Sequence, residues 1–231
     1  MIGPVWCLGM YGSASTWLFN VVRMLVEAET SRPARVQFVS SPNEFQGFSA
    51  GEVDLIKTHE IEGDATILAL AKGAARLFIT VRDPRDAVTS LIQARSHSFE
   101  RALHFVEQSA RLCRSMAGDK RVRLFRYESG FFDDPATVGQ IAAHLGLAVS
   151  AELAQAIFAA NSRAEVEKHI AQMPQRQGVL RDAVSGDLLD PYTQWHTHHA
   201  GRKGGIKRWP GALTRAQIAE IEARVPVFWA D

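Results

Sequence analysis

Four short stretches of this chain carry residues able to act on a phosphate-bearing ligand. The first, Gly9-Met10-Tyr11-Gly12-Ser13-Ala14-Ser15-Thr16, follows the apolar run PVWCL. Laid over the nucleotide P-loop pattern G-x-x-x-x-G-K-[ST], Gly9 and Thr16 fall in place. Ala14 stands where the second glycine belongs, and Ser15 replaces the lysine that reaches the outer phosphates of ATP or GTP. A strand, a Gly/Ser-rich turn and a helix start still place several backbone N–H groups around one anion. Ser13, Ser15 and Thr16 add hydroxyl donors, and Trp17 can stack on a base. The plainer reading is a strand-to-helix turn with Ser or Thr as N-cap.

The second stretch is Lys57-Thr58-His59, at the end of another apolar run. A histidine at a strand's carboxyl end can act as general base because its pKa lies near neutrality. Lys57, two residues earlier, points to the same side and can meet developing negative charge. The third is FITVRDPRDAVTSLIQ, in which Arg82 leaves a strand, Asp83 is the N-cap and Pro84 opens a helix. Ser90 falls two turns into that helix, so the Arg82 fork and the Ser90 hydroxyl can converge on one phosphate. Arg85 and Asp86 read equally well as a solvated face. The fourth, HAGRKGGIKRWPGALT, places Arg202 and Lys203 beside glycines that include Gly204. Such a cationic nest suits a phosphate monoester, and a flexible basic loop is the bland alternative.

These stretches need elements to hold them. Short apolar runs predict strands at Pro4–Leu8, Val36–Val39, Val53–Lys57, Leu77–Val81 and Val122–Phe125. Helical periodicity falls at Thr16–Glu27, Ala65–Lys72, Arg85–Ala94, Phe99–Met116, Thr137–Leu145, Ala151–Ala160 and Thr214–Arg224. The alternation argues for an α/β fold with a central, mainly parallel sheet flanked by helices. Ligands of such sheets bind at the carboxyl ends of the strands, where the first three stretches lie. The longest run without clear periodicity is Met173 to Arg208, and its length predicts a lid or acceptor-contacting segment within a single domain.

With 231 residues, 46% hydrophobic and 22% charged, the chain has the composition of an ordinary globular domain. The formal net charge of +1 gives no global signal for nucleic acid or membrane, so any anion site must be a local cluster. Cys7 and Cys113 form no disulfide framework, and no basic region precedes a long apolar segment, so a cytoplasmic location is expected. His196, His198 and His199 in HTHH have no Cys or acidic partner at fitting spacing, so no metal is expected there.

Taken together, the stretches resemble the sulfotransferases that use 3'-phosphoadenosine 5'-phosphosulfate (PAPS). The family's first loop, approximately Y-P-K-S-G-T-T-W, aligns with MYGSASTW from Met10 to Trp17. Its K-T-H tripeptide is matched by Lys57, Thr58 and His59, and its R-x-P-x-D-x-x-x-S signature by Arg82, Pro84, Asp86 and Ser90. Its [LF]-x-[FY]-E-D segment is matched in part by LFRYESGFFDDP, with Tyr127 in the aromatic position and Ser129 replacing the acid. Its R-K-G-x-x-G-x-W element is matched by Arg202, Lys203, Gly204 and Trp209, with Lys207 replacing the last glycine. The matches run in family order from Met10 to Thr214 and cover most of the chain.

The resemblance implies a P-loop NTPase-like sulfotransferase fold and sulfuryl transfer from PAPS, without metal, to a hydroxyl or amine. The loop from Gly12 through Ser13, Ala14, Ser15 and Thr16 would hold the 5'-phosphosulfate. Arg82, Ser90, Arg202, Lys203 and Gly204 would hold the 3'-phosphate, and Trp17 and Tyr127 would flank the adenine. His59 would take the acceptor proton while Lys57 neutralises charge on the moving group. One departure matters: Gly12 stands where the family's loop carries a lysine or arginine beside the leaving oxygen. A low-activity nucleotide-binding protein and, more distantly, a P-loop nucleotide kinase are the competing readings. The acceptor, a small molecule, a sugar or a peptide, would meet Phe45 to Phe48, Phe99 to Phe105 and Met173 to His199. No nucleic-acid partner and no membrane span are expected, and the oligomeric state is left open.

Overall fold

The strands form where short runs are rich in β-branched, aromatic and leucine residues, because a strand covered on both faces has little room for polar side chains. In a computed structural model of the chain, which describes residues 2–182, 186–199 and 205–229, five such runs make one sheet. They are β1 (Val5–Gly9), β2 (Arg35–Phe38), β3 (Asp54–Thr58), β4 (Arg76–Val81) and β5 (Val122–Arg126). The spatial order is β2-β3-β1-β4-β5, and every neighbouring pair is parallel. From β1 the chain passes to the outer strand β2, returns inward to β3 and crosses β1 to reach β4 and β5. The connections leaving β1 and β4 thus run to opposite sides, and the crevice at the carboxyl end of β1 is the switch point where such sheets bind ligands.

The helices are α1 (Ser15–Thr30), α2 (Asp64–Gly73), α3 (Pro84–Arg95), α4 (Phe99–Met116), α5 (Ala136–Leu145), α6 (Ala151–Ala160), α7 (Arg163–Gln172) and α8 (Arg215–Arg224). Alternation along β1 splits the core in two. Trp6 and Leu8 face one side, with Ile56, Leu77, Ile79 and the inner residues of α3, α4 and α8. Val5 and Cys7 face the other, with Leu55, Phe78 and the inner residues of α1, α5 and α6. All five expected strands and all seven expected helices are present, with ends displaced by a few residues.

Two elements were not foreseen. The α7 sequence RAEVEKHIAQ buries only Val166 and Ile170, too little apolar content for a periodic signal, and Ser162 caps its start. The segment expected to lack periodicity contains a two-residue antiparallel hairpin, β6 (Leu180–Arg181) with β7 (Leu188–Leu189). Leu188 and Met173 pack with Val166 and Ile170 in a third, small cluster. Strands this short carry no pattern of their own and are held by the side chains beneath them.

The view of Asp86 as part of a solvated face is corrected. Asp86 is buried on α3, and its carboxylate accepts the backbone N–H groups of Lys207 (2.7 Å), Arg208 (2.7 Å) and Trp209 (3.2 Å). Arg85 is the outer neighbour: it pairs with Asp83 at 2.6 Å and Glu222 at 2.9 Å, and its guanidinium lies 4.3 Å from the Trp209 ring centroid. One buried carboxylate thus fastens the chain after residue 204 to the site helix. Asp86→Ala strands three donors and should cost about 3 kcal/mol in urea unfolding, whereas Arg85→Ala should cost under about 1 kcal/mol. Equal losses for the two variants would show that water replaces the carboxylate.

Candidate active site

The opening loop is shaped by the lack of room behind it. A Cβ on Gly9 would stand 2.4 Å from the Ser15 Cβ and 2.6 Å from the Thr80 hydroxyl, so no side chain fits there. Gly12 and Ala14 both turn left-handed, with φ of +71° and +61°. Ala14 occupies the P-loop glycine position and keeps the backbone form that favours glycine. It is also the N-cap of α1, which has no side-chain cap and no acid in its first turn. The first-turn N–H groups of α1 therefore open onto a cavity of about 990 Å³ lined by Gly12, Ala14, Ser15, Thr16 and Trp17. Ser13 does not face that cavity. Its hydroxyl donates to the Met10 carbonyl (2.5 Å) and bonds the Thr80 hydroxyl (2.7 Å), stiffening the loop from behind.

Lys57 and His59 meet the loop from β3. The Lys57 ammonium donates to the Thr16 hydroxyl at 2.6 Å, and the side chain is 2% exposed. Burial, reinforced by the charge of Arg95, pushes its pKa down to about 7. His59 Nδ1 lies 2.6 Å from the Gly9 carbonyl. A carbonyl only accepts, so Nδ1 carries the hydrogen and Nε2 keeps its lone pair. Burial first, and the Lys57 charge second, hold the ring well below its ordinary range, so it is neutral at pH 7. Tyr11 stacks on it, with centroids 4.3 Å apart at 18°.

On the other side of the loop, Arg82 donates from Nη1 to the Gly12 carbonyl (2.7 Å) and from Nη2 to the Gly205 carbonyl (2.5 Å). Its guanidinium lies 4.0 Å over the Tyr127 ring, and its buried Nε has no hydrogen-bond partner. Ser90 lines the same cavity, its hydroxyl 3.3 Å from where a Gly12 Cβ would stand. Trp17 packs edge-on against Phe131 and Phe158, and Tyr127 lies tilted against Phe132, with centroids 4.7 Å apart. The fold thus gathers Gly12, Ala14, Ser15, Thr16, Trp17, His59, Arg82, Ser90 and Tyr127 around one cavity, with Lys57 behind Thr16. Arg202, Lys203 and Gly204 lie outside the described residues.

Several wall residues were not foreseen. Phe158, Asn161, Ser162 and Arg163 come from the α6–α7 junction, and Arg95 from the end of α3. The Ser162-Arg163-Ala164-Glu165 sequence does signal a helix start, though not that the start faces this cavity. Of the three segments expected to meet an acceptor, only Met173 to His199 reaches the wall, through Trp195, His198 and His199. Phe45 and Phe48 instead pack together, 5.2 Å apart, against the first core.

The histidine cluster has an acid after all. Asp187 receives the His198 Nδ1 hydrogen at 2.5 Å, and its oxygen lies 3.3 Å from His196 Nδ1. Burial pushes His198 down to about 4 and His196 to about 3. Burial alone would raise Asp187, but hydrogen bonds from Thr197 and His198 outweigh it and bring it to about 2. Ligand atoms of Asp187, His196 and His198 lie within 4.8 Å of one another, a spacing a metal ion could use. Arg95, however, places Nη2 3.1 Å from His198 Nε2. An arginine can only donate, so His198 is a neutral relay between a carboxylate and a guanidinium.

No family profile matches the chain, and no curated protein matches it. Solved structures do. A retinol dehydratase in complex with retinol and PAP superimposes with a TM-score of 0.62 at 15% identity, over 96% of this chain and 80% of that one. The mouse sulfotransferase SULT7A1 complexed with PAP gives 0.64 at 16% identity, over 96% and 82%. Retinol dehydratase with androsterone and the inactive cofactor PAP gives 0.60 at 16%, over 96% and 79%. This chain has the sulfotransferase fold. Its parallel five-stranded sheet with flanking helices is the architecture of those structures.

Two outcomes follow from the site's geometry. Gly12→Ala must adopt a left-handed backbone against Ser90 and should cost about 1–2 kcal/mol, read as a lower Tm; an unchanged Tm would mean that the loop relaxes. The second concerns pH. His59, His196, His198 and His199 all have folded pKa values below their unfolded ones. At these histidines the unfolded chain takes up protons near pH 6.5 and the folded chain does not, so their contribution to stability is full above about 6.5 and is lost as pH falls toward 4. Urea midpoints should drop across that window, and the drop should shrink in a His196→Asn/His198→Asn variant. An identical drop in that variant would assign the acid sensitivity to other groups.

Proposed function

We propose that this chain transfers a sulfuryl group from PAPS to a hydroxyl or amine of a small molecule, sugar or peptide acceptor. The observation that carries the reading is one cavity lined by an uncapped helix N-terminus and, across the loop, by Arg82 and Ser90. The helix start offers unpaired N–H donors and the other two a cation and a hydroxyl, a set that suits a nucleotide with phosphates at two positions. PAPS, when bound, supplies the sulfuryl group and a phosphate leaving group that needs no metal. The residues assigned to its 5' end are Gly12, Ala14, Ser15 and Thr16, with Ser13 acting from behind through the loop's shape. Arg82 and Ser90, and from the resemblance Arg202, Lys203 and Gly204, serve the 3'-phosphate. Trp17 and Tyr127 serve the adenine.

In this reading His59 accepts the acceptor proton at Nε2, since Nδ1 is committed to Gly9. Lys57, fixed on Thr16, offers positive charge next to the reacting group, and a preorganised donor of that kind is worth roughly 3 kcal/mol in the transition state. A cytoplasmic location and the absence of a nucleic-acid partner belong to the same proposal. No described helix is long and apolar enough to cross a membrane.

A second reading, a nucleotide-binding protein of low activity, is favoured by Gly12. At φ +71° and with a built Cβ 3.3 Å from Ser90, a loop cation at that position would be strained and crowded. A kinase is disfavoured by Ser15 in the lysine position and by a strand that ends toward Arg82.

Calorimetry with PAP (adenosine 3',5'-bisphosphate) should show binding without Mg²⁺ and stronger than ATP, and Ser90→Ala should weaken it. Preference for Mg-ATP would sink the proposal. Across a mixed panel of hydroxylated acceptors, His59→Ala should lower turnover by about two to four orders of magnitude while PAP affinity holds. Binding of PAP with no turnover on any acceptor would favour the second reading.

A further inference from the structure

One charged side chain of the cavity wall stands without an opposite charge. Arg95 ends α3, is half-buried, and lines the cavity beside Tyr11, His59, His198 and His199. Among the described residues its one hydrogen bond runs from Nη2 to His198 Nε2, a neutral acceptor, and it makes no ion pair. The acids nearest to it are each held off by an intervening side chain. His198 stands between Arg95 and Asp187. Tyr11 stands between Arg95 and Glu60, with the guanidinium 5.7 Å from its ring and its hydroxyl donating to Glu60 at 3.2 Å. Those carboxylates orient Arg95 without neutralising it.

A guanidinium has five donors and stays protonated in proteins, so most of its capacity here is unspent. Its other nitrogens are not among the buried atoms lacking partners, so they are accessible on a side chain that lines the cavity. Partial desolvation makes an unpaired cation costly, and a bound oxyanion offsets that cost with a bidentate contact. Position says whose oxyanion. Arg82, Ser90 and the α1 N-terminus stand on the nucleotide side of the loop, while Arg95 touches Tyr11, which stacks on His59. It therefore flanks the general base on the acceptor side.

We propose that Arg95 is the anion-recognition residue of the acceptor half of the cavity. The acceptor then carries an oxyanion, such as a carboxylate, near the hydroxyl or amine that His59 deprotonates. The inference rests on the reading of this cavity as a sulfuryl-transfer site. His198 and Asp187 are positioning residues, fixing the guanidinium through the imidazole.

The test compares two probes of one size, 4-hydroxybenzoate and the neutral 4-hydroxybenzamide, by calorimetry on the protein saturated with PAP. The wild-type chain should bind the benzoate at least about tenfold more tightly, a preference of about 1.4 kcal/mol. Arg95→Met should bring the two probes to parity with PAP affinity unchanged, and Arg95→Lys should keep part of the preference. Equal affinity for the two probes in the wild type, or binding of neither, overturns the proposal. So does an equal loss of both in Arg95→Met, which would instead make Arg95 a cation serving the sulfuryl group. Failure of PAP to bind would count against the sulfuryl-transfer reading alone, because the benzoate preference can be read on the nucleotide-free protein.

Discussion

The site depends on the Gly9 backbone. There is no space for a side chain at that residue, because Ser15 and Thr80 close in from both sides, and its carbonyl receives the His59 Nδ1 hydrogen at 2.6 Å. The close approach brings the start of α1 down onto the end of β1, and the loop between them turns left-handed at Gly12 and Ala14. The hydrogen bond, meanwhile, fixes which nitrogen of His59 is free. Loop shape and histidine tautomer are therefore both set at one glycine, the first through steric exclusion and the second through its carbonyl.

Electrostatics divides the labour between the two β3 residues. Lys57 and His59 are both buried, and two positive charges that close together in low dielectric would be unfavourable. The ring gives way: burial and the lysine hold it neutral, which is the form a base needs. Lys57 is itself pushed down to about 7, with its ammonium spent on Thr16. A cation poised so near neutrality is sensitive to any anion placed beside it, because a nearby negative charge stabilises its protonated form.

The cavity has two differently built halves. Around Arg82 and Tyr127 the wall includes residue 205, whose carbonyl accepts from Arg82 and which precedes the 207–209 amides fastened by the Asp86 carboxylate. Around Arg95 the wall is a relay of polar side chains from the α3 end and the 187–199 segment, with the imidazole of His198 at its centre. The first half matches motifs with fixed spacing. The second is assembled from single residues far apart in the chain.

The sequence by itself determined the strands, the helices that bury an apolar face, and the loop, Lys57/His59 and Arg82/Ser90 groups at the strand ends. Each of these depends on local spacing: short, mainly apolar runs, helical periodicity, and residues fixed near the end of a strand or in the first turns of a helix. Tertiary structure decided the rest. That Ser13 turns inward, that Asp86 is buried under residues 207–209, that α7 forms on two apolar residues, and that Asp187 reaches His198 follow from packing between distant segments. A hydroxyl, a carboxylate or a histidine reads the same in a sequence whether it faces water, a backbone amide or another side chain. Only the neighbours that the fold supplies settle what it does.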